Sequence, residues 1–279
     1  MRIEKNMELD YLASTVHIQI VDSGCAYLDE RWSGKNIRSP FSRLYYILGG
    51  SGTIETVSEQ GTSLQTVRLV PENLCLIPAG MLHHYSCSSH LEKVYFHVNV
   101  TLPSGLDLLS GYPTCCILPC PAGRAQQMRS LYESQGILSV LHIQSELVRD
   151  VCQLVQKMQP NAFPSPTYSR LLQRLFSMAA SPVNAKNNVR SLAKRLNVSE
   201  STLAKKFKAQ TGETLGSYLD ELLLKQCCQM LLASSLSLRD ISDELGFTDQ
   251  FYFSRYFKQH MGEPPSIYRR RMLKSMGRE

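Results

Sequence analysis

Hydrophobic residues recur every three or four positions along the last third of the chain, a spacing typical of amphipathic helices. Between Ser237 and Arg271 this pattern predicts two short helices that meet at a tight turn. Gly246 ends the first helix, since glycine readily adopts the left-handed conformation found after helix ends. Thr248 is the predicted cap of the second helix, whose buried face carries Phe253 and Phe257. The stretch is therefore predicted to form a helix-turn-helix.

The same pattern occurs once earlier in the chain. Similar residues recur at an offset of fifty: Leu203, Phe207, Lys208, Gly212, Glu213 and Tyr218 match Phe253, Phe257, Lys258, Gly262, Glu263 and Tyr268. Such a repeat indicates a duplicated structural unit. An amphipathic helix is predicted over Leu215–Leu232, between the two copies, and Ser199 is the expected cap of the second helix in the first copy.

The first hundred residues follow a different pattern, in which short runs rich in β-branched and aromatic residues are separated by Gly, Pro, Ser and Asn. Strands are predicted over residues 15–20, 42–48, 52–56, 73–78 and 93–100. No long helix is predicted between them. This arrangement is typical of an antiparallel barrel or sandwich.

From Ala122 to Met158 the pattern becomes helical, with an apolar stripe wide enough to pack against more than one neighbour. The stripe includes Leu138, Leu141, Ser145, Val148, Cys152 and Val155. Residues 159–167 carry three prolines and are predicted to form a stiff connection. A further helix is predicted over Tyr168–Ala180.

Length and charge limit the possible classes of protein. The 279 residues suit two domains, and no apolar run approaches the roughly 18 residues that a membrane-spanning helix needs. Residues 1–10 lack the apolar centre of a signal peptide, so we expect a cytoplasmic protein with no membrane contact. Acidic and basic residues balance over residues 1–182, so the net charge of +6 lies in residues 183–279. A basic domain is expected of a protein that binds nucleic-acid phosphate, although such a surface is not specific.

The nine cysteines include adjacent pairs at 115/116 and 227/228 but no Cys-x-x-Cys and no zinc-site spacing. We interpret them as reduced thiols that serve as small apolar residues. A redox-sensing role is the alternative, because exposure and thiolate character decide it.

The C-terminal pattern over Val189–Arg271 resembles the paired helix-turn-helix domain of the AraC/XylS family of bacterial transcription regulators. The residues that match the motif of its second half are Ile241, Gly246, Phe247, Asp249, Phe253, Ser254, Arg255, Phe257, Lys258, Gly262, Pro265, Tyr268 and Arg269. Four positions depart from the pattern. Ser242 and Cys227 are small enough to pack, whereas Phe251 and Leu223 replace the family's usual polar or basic side chains.

The N-terminal strands, with a Pro-Ala-Gly step at residues 78–80 followed by His83, resemble the cupin-type sensor domain of many AraC-family proteins. Together the two resemblances imply an α+β chain: an N-terminal antiparallel β-barrel of cupin type, then an all-α domain with two helix-turn-helix units joined by a linker helix. The expected domains are a sensor over residues 1–121, a helical connection over residues 122–181 and an AraC-type DNA-binding domain over residues 182–279.

The resemblance implies a sequence-specific DNA-binding regulator, an activator rather than a repressor, that responds to a small-molecule effector in the barrel. Its expected partners are double-stranded operator or promoter DNA, the effector, RNA polymerase and a second copy of the chain. Helices that follow the cupin domain commonly dimerise in this family. Folding of residues 122–158 back on their own barrel is the alternative, and a regulator whose barrel binds only another protein also stays open.

The family's base-reading positions correspond to Ser201, Ala204, Lys205, Gln250, Phe251, Ser254 and Arg255. Lys205 and Arg255 can pair with guanine, and Gln250 with adenine. Contacts to phosphate, which position the protein without specifying sequence, are expected from Lys208, Lys258 and Arg269. Two such helices on a rigid spacer would enter successive major grooves.

Candidate effector contacts come from the alternation of apolar and polar residues over 94–100 and from the loop around the single tryptophan. They are Trp32, Arg38, Tyr46, His83, Tyr95, His97 and Asn99. No catalytic residue, cofactor or metal is predicted, because metal-dependent cupins place His-x-His and Glu on one strand and residues 45–55 contain no His. A metal-assisted cupin enzyme with an accessory helical domain is the competing class.

Overall fold

The computed structural model describes residues 16–275 apart from residues 59, 103, 106, 111, 113, 135, 159–167, 181 and 234. The predictions for the N-terminal ten residues and for the connection at 159–167 lie outside the described residues. The chain divides into two compact units. Unit 1 comprises residues 1–102 and 107–163, and unit 2 comprises residues 103–106 and 164–279.

Unit 1 is built on an antiparallel sheet, which confirms the predicted class of its N-terminal domain. The strands in the described residues are β1 (His17–Asp29), β2 (Ser33–Ile37), β3 (Ser42–Val57), β4 (Ser63–Leu69), β5 (Asn73–Ile77), β6 (His83–Thr101) and β7 (Cys116–Pro119). Their order is β1-β6-β3-β5-β7, with β2 also paired to β6 and β4 to β3. Among the described residues this path ends at β1 and β7, so closure into a barrel is not confirmed.

One long bent strand, β3, replaces the two strands predicted at 42–48 and 52–56. It pairs with β6 on both sides of Gly50, where the register shifts. Gly50 has φ 71°, and a Cβ atom there would lie 2.1 Å from the His90 carbonyl oxygen. Only glycine fits this position. Bulges bend a strand and increase its twist, so β3 and β6 curl the sheet. The first half of β3 pairs with β5 and its second half with β4, while the start of β6 pairs with β2 and the rest with β1.

Each face of the sheet in unit 1 has its own core. On one face, Leu44, Val94 and Phe96 pack against helices α1 (Arg124–Glu133) and α2 (Ile137–Met158). Side chains of β2 to β6 meet inside the curl and form the second core. Helix α2 thus packs on the sheet of its own chain, which is one of the two alternatives predicted for residues 122–158.

Unit 2 is helical, as predicted. Its helices in the described residues are α3 (Arg170–Ala180), α4 (Val189–Leu196), α5 (Glu200–Thr211), α6 (Leu215–Ala233), α7 (Leu238–Glu244), α8 (Gln250–Met261) and α9 (Pro265–Ser275). Helix α3 packs on the first helix-turn-helix, where the Phe176 and Phe207 ring centroids are 6.1 Å apart. Across the part of the chain that the structure describes, no helix is long and apolar enough to cross a membrane.

Candidate nucleic-acid interface and sensor interior

The first helix-turn-helix, α4 and α5, is fixed by side-chain caps. Asn188 Oδ1 accepts a hydrogen bond from the Ser191 amide at 2.9 Å, and the Asn188 amide donates to Ser191 Oγ at 3.1 Å. Ser199 caps α5, as predicted, by accepting from the Thr202 amide at 3.2 Å. Gly212, at φ 83°, ends α5. These contacts satisfy backbone groups that a helix end otherwise leaves unpaired.

The second helix-turn-helix, α7 and α8, has matching ends. Ser237 and Asp240 form the predicted capping box of α7. The cap of α8 is Asp249 and not Thr248 as predicted, because Asp249 is extended and its Oδ1 accepts a first-turn amide at 2.7 Å. Asp249 follows Ser199 by fifty residues, so the repeat preserves the cap.

Helix α6 joins the two helix-turn-helix units. Its first half places Leu215 and Tyr218 in the core of the first unit. At its surface, Asp220 Oδ1 accepts from the Tyr256 hydroxyl of α8 at 3.1 Å. The 19 residues span about 28 Å at 1.5 Å per residue. The second helices of the two units, α5 and α8, which we call the recognition helices, are therefore joined by one continuous helix, as the sequence predicted.

The outer faces of α5 and α8 carry the predicted base-reading residues. Phe207 and Phe257 are fully buried, which turns the remaining faces of both helices outward. Ser201, Lys205, Phe251 and Arg255 are exposed, while Ala204, Gln250 and Ser254 are half-buried. The predicted phosphate contacts Lys208 and Lys258 are exposed as well. Within the described residues, no hydrogen bond or ion pair engages the four basic side chains among these, so their donors are available.

Arg269, predicted to contact phosphate, is used inside unit 2 instead. Its Nε donates to the Leu231 carbonyl at 3.0 Å and its Nη2 to the Leu236 carbonyl at 2.8 Å. The guanidinium thereby satisfies one carbonyl group in the last turn of α6, where a positive charge is favourable, and one in the segment between α6 and α7. Sequence alone shows only its place in a run of three arginines.

Comparisons with known proteins agree with this geometry. A family model for a helix-turn-helix domain matches residues 192–271. The MmsAB operon regulatory protein of Pseudomonas aeruginosa is 25% identical over 242 residues, which cover 84% of this chain and 76% of that protein. The raffinose operon transcriptional regulatory protein RafR of Pediococcus pentosaceus is 24% identical over 86% of this chain and 88% of its own. These similarities support an AraC/XylS-family transcription regulator.

The fold of this protein is also found in a solved structure. ToxT from Vibrio cholerae matches it with a TM-score of 0.54 over 91% of this chain and 98% of that one, at 12% sequence identity. The likeness confirms a sheet domain followed by a helical domain.

The sheet domain brings several predicted effector contacts together. Tyr95, His97 and Asn99 lie on one face of β6, as their alternation with buried valines predicted. The Tyr95 and His97 ring centroids are 4.9 Å apart. Trp32 stacks on Tyr85 with ring centroids 4.5 Å apart. These rings line the inside of the curl.

Two other predicted effector contacts are engaged elsewhere. Tyr46 lies on the opposite face of β3, where its hydroxyl donates to Asp150 Oδ2 on α2 at 2.6 Å. It therefore does not line the interior, because alternate residues of a strand face opposite sides. Arg38 donates from Nη1 to the Gly80 carbonyl at 3.0 Å.

The two predicted interior histidines are electrically neutral near neutral pH. Burial lowers the pKa of His83 to about 3, and His83 Nδ1 donates to the Met81 carbonyl at 3.1 Å. Burial likewise lowers the pKa of His97 to about 3, with Asp22 Oδ2 lying 3.4 Å from its Nδ1. In the described residues no group of three or more His, Cys, Asp or Glu side chains is placed to hold a metal ion.

The interior also contains two cations that sequence reasoning missed. Arg43 and Lys93 are buried on the faces of β3 and β6 that point into the curl. Charged residues on strands are usually solvent-exposed, so the sequence gives no direct signal for them. Their alternation with the core residues Leu44 and Val94 was the one pattern that could have found them.

A groove of about 470 Å³ lies on unit 1 beside Trp32, which stacks on one of its lining residues, Tyr85. It is lined by Ser33, Gly34, Lys35, Thr53, Glu55, His84, Tyr85 and Ser86.

The cysteines form no disulfide, and most are buried in the cores. Burial raises the pKa of Cys228 to about 12, which matches the use of thiols as apolar residues.

Proposed function

We propose that this AraC/XylS-family protein binds operator or promoter DNA through α5 and α8 and activates transcription when a small molecule occupies unit 1. The observation that carries the proposal is the pair of recognition helices on α6, each with exposed and unengaged donors. Lys205 and Arg255 are the proposed guanine contacts and Gln250 the adenine contact. Ser201, Ala204, Phe251 and Ser254 complete the base-reading set. Lys208 and Lys258 contact phosphate.

The effector part of the proposal rests on the interior of unit 1. An antiparallel sheet curled around polar and aromatic side chains is suited to a small ligand. The ligand shifts the balance between two states of the protein only if it binds one of them more tightly. Trp32, Tyr95, His97, His83 and Asn99 are the proposed contacts.

A second copy of the chain is proposed to cover the outer face of α2. Its buried face packs on the sheet, whereas Leu138, Leu141 and Val148 are 69%, 52% and 47% exposed. These residues lie three and seven positions apart, which places them on one helix face. Light scattering of the free protein is expected to give the mass of two chains, and Leu141→Glu to give single chains. RNA polymerase is the remaining proposed partner, since activation requires contact with it.

The experiment that tests the proposal measures binding of the full chain to fragments of the promoter beside its own gene. A salt series with non-specific competitor DNA separates specific from electrostatic binding. Saturable binding that survives competitor and protects about two helical turns per chain is expected, because each recognition helix occupies one major groove. Lys208→Ala is expected to reduce the salt slope by about one, and Lys206→Gln, on another exposed position of α5, serves as its comparison.

Binding that competitor abolishes at every salt concentration, with and without candidate effectors, would contradict the proposal. A reporter gene behind the same promoter tests activation, and lower expression in the presence of the protein would mean repression. Turnover of a sugar or small acid by the purified protein would favour the competing enzyme class.

A further inference from the structure

The curled sheet of unit 1 encloses two positively charged side chains. Arg43 on β3 and Lys93 on β6 are 3% and 4% exposed. They occupy the same face of neighbouring strands, where Arg43 is opposite His97 and Lys93 is opposite Ile47. A buried charge is unfavourable unless an opposite charge and hydrogen bonds compensate it. The surroundings of these two side chains therefore determine which ligands suit the interior.

Arg43 is held by neutral oxygen atoms. Its Nε and Nη2 donate to Ser39 Oγ at 3.0 and 2.7 Å, and its Nη1 donates to the Tyr45 hydroxyl at 3.2 Å. In the described part of the chain, no carboxylate pairs with this guanidinium. The side chain is thus fixed in position while its charge is not neutralised.

Lys93 is held by aromatic rings. Its Nζ lies 3.5 Å from the centroid of the Tyr45 ring and 4.2 Å from that of the Trp32 ring. Ring faces attract a cation but do not neutralise it. No hydrogen bond or carboxylate reaches Nζ from the described residues. Burial, and next the charge of Arg43, hold the pKa of Lys93 well below its usual range.

Tyr45 joins the two cations, since its hydroxyl accepts from Arg43 and its ring face carries Lys93. The other titratable groups nearby are His83 and His97, which are neutral near neutral pH, and Asp22, whose carboxylate lies beside His97. Among the described residues, no carboxylate affects the pKa of Lys93.

The rest of the interior is apolar. Ile54, Leu69 and Leu91 are fully buried there, and half-buried Trp32 and Tyr95 pack against the same core. Trp32 follows the turn between β1 and β2, and its ring covers one side of the Lys93 ammonium group. A ligand that fits this interior carries negative charge at one end and an apolar or aromatic body.

We propose that the interior of unit 1 binds an organic anion, with Lys93 and Arg43 supplying the opposite charge and Trp32 and Tyr45 packing on its body. This inference rests on the proposed effector role of unit 1 and names the chemical class of the effector. The anion is attracted to the Arg43 guanidinium, favours the protonated form of Lys93 and accepts hydrogen bonds from both. An uncharged ligand of the same shape brings no charge that favours either effect.

The single tryptophan makes the site directly observable, because Trp32 is the only indole in the chain. Its emission is measured while the full chain is titrated with octanoate and phenylacetate, and then with octanamide and phenylacetamide, which match them in shape. At least one acid is expected to give a saturable change and to bind at least tenfold more tightly than its amide.

The variants are Lys93→Met, Lys93→Arg and Lys35→Met. Lys93→Met is expected to remove the preference for acid over amide and to unfold at a midpoint no lower than that of the wild type, since it relieves an uncompensated buried charge. Lys93→Arg is expected to keep the preference. Lys35→Met, at an exposed position of the same unit, is expected to behave as the wild type.

Equal binding of acids and amides, a preference that survives Lys93→Met, or no response of the wild type to either acid would overturn the proposal. A lower unfolding midpoint for Lys93→Met would show that its ammonium is compensated, and would overturn it as well. Specific binding of promoter DNA by the full chain is measured separately. If the chain binds promoter DNA specifically but the titration fails, the organic-anion proposal is rejected and the proposed DNA-binding function is not.

Discussion

The two helix-turn-helix units of unit 2 are nearly the same on the inside and different on the outside. Ser199 and Asp249 cap the recognition helices α5 and α8 at equivalent positions. Gly212 and Gly262 end them at φ 83° and 78°. The buried positions also correspond, since Leu203 and Phe207 match Phe253 and Phe257.

Their exposed faces differ in chemistry. Helix α5 presents Lys205 and Lys206, whereas α8 presents Phe251, Tyr252 and Arg255. Phe251 is 76% exposed. Caps and buried faces specify the fold of both units, while the outer positions are free to differ. The two helices are therefore expected to read different bases.

The largest expected effect comes from the inner faces that the two units share. Phe207→Ala and Phe257→Ala are each expected to lower the free energy of unfolding by about 3 to 5 kcal/mol, because each leaves a cavity in a fully buried cluster. Denaturant unfolding of the full chain measures both. Gln259→Ala, at an exposed position of α8, is expected to stay within about 0.5 kcal/mol. If one of the two variants lowered the free energy of unfolding by less than about 1 kcal/mol, the buried faces of the two units would not be equivalent.

An intermediate effect is expected on the outer faces. Arg255→Ala is expected to weaken DNA binding by about 1 to 3 kcal/mol and to relax selectivity at one base position, if that base is guanine. Binding to a set of single-base operator variants measures it. Arg255→Lys keeps the charge but not the two-pronged geometry, so it should restore affinity more than selectivity. Equal weakening on all sequences would assign Arg255 to the backbone.

The smallest effect is expected at the caps, where the units differ by one carboxylate. Ser199→Ala and Asp249→Ala are each expected to lower the free energy of unfolding by about 1 kcal/mol. Asp249→Ala should have the larger effect, since its negative charge also favours the helix N-terminus. Thermal unfolding in low salt measures the difference. Asp249→Ser should retain the stabilisation that comes from the capping hydrogen bond. A loss of unfolding free energy equal to that of Asp249→Ala would contradict the proposed cap.

Much of unit 2 could be predicted from the sequence because its determinants are local. The fifty-residue repeat, the capping box at Ser237 and the helix-ending Gly246 all act within a few residues. The cap of α8 was misplaced since Thr248 and Asp249 are both able to cap, and only the backbone conformation decides between them. The internal hydrogen bonds of Arg269 were missed because its carbonyl partners lie more than thirty residues away. The DNA contacts themselves stay predictions.

Unit 1 was harder to predict since its pairing is long-range. The two glycines at 49 and 50 read as a turn between strands, yet β3 continues through them in a bend. Strands β2, β4 and β7 were missed, and half of β4 is exposed, so its pattern is weak. Alternation along β6 placed Tyr95 and His97 on the correct face. It was not extended to Lys93, whose burial depends on strands that approach from elsewhere in the chain.

Helix α6 also sets both the distance and the relative rotation between the two recognition helices. Each residue of a helix advances it by about 1.5 Å and rotates it by about 100°. One residue added to α6 would hardly change the distance between the recognition helices, but it would turn the second away from the groove. The two half-sites must therefore agree in angular phase around the duplex, and the tolerance of an operator to insertions is set by rotation more than by length.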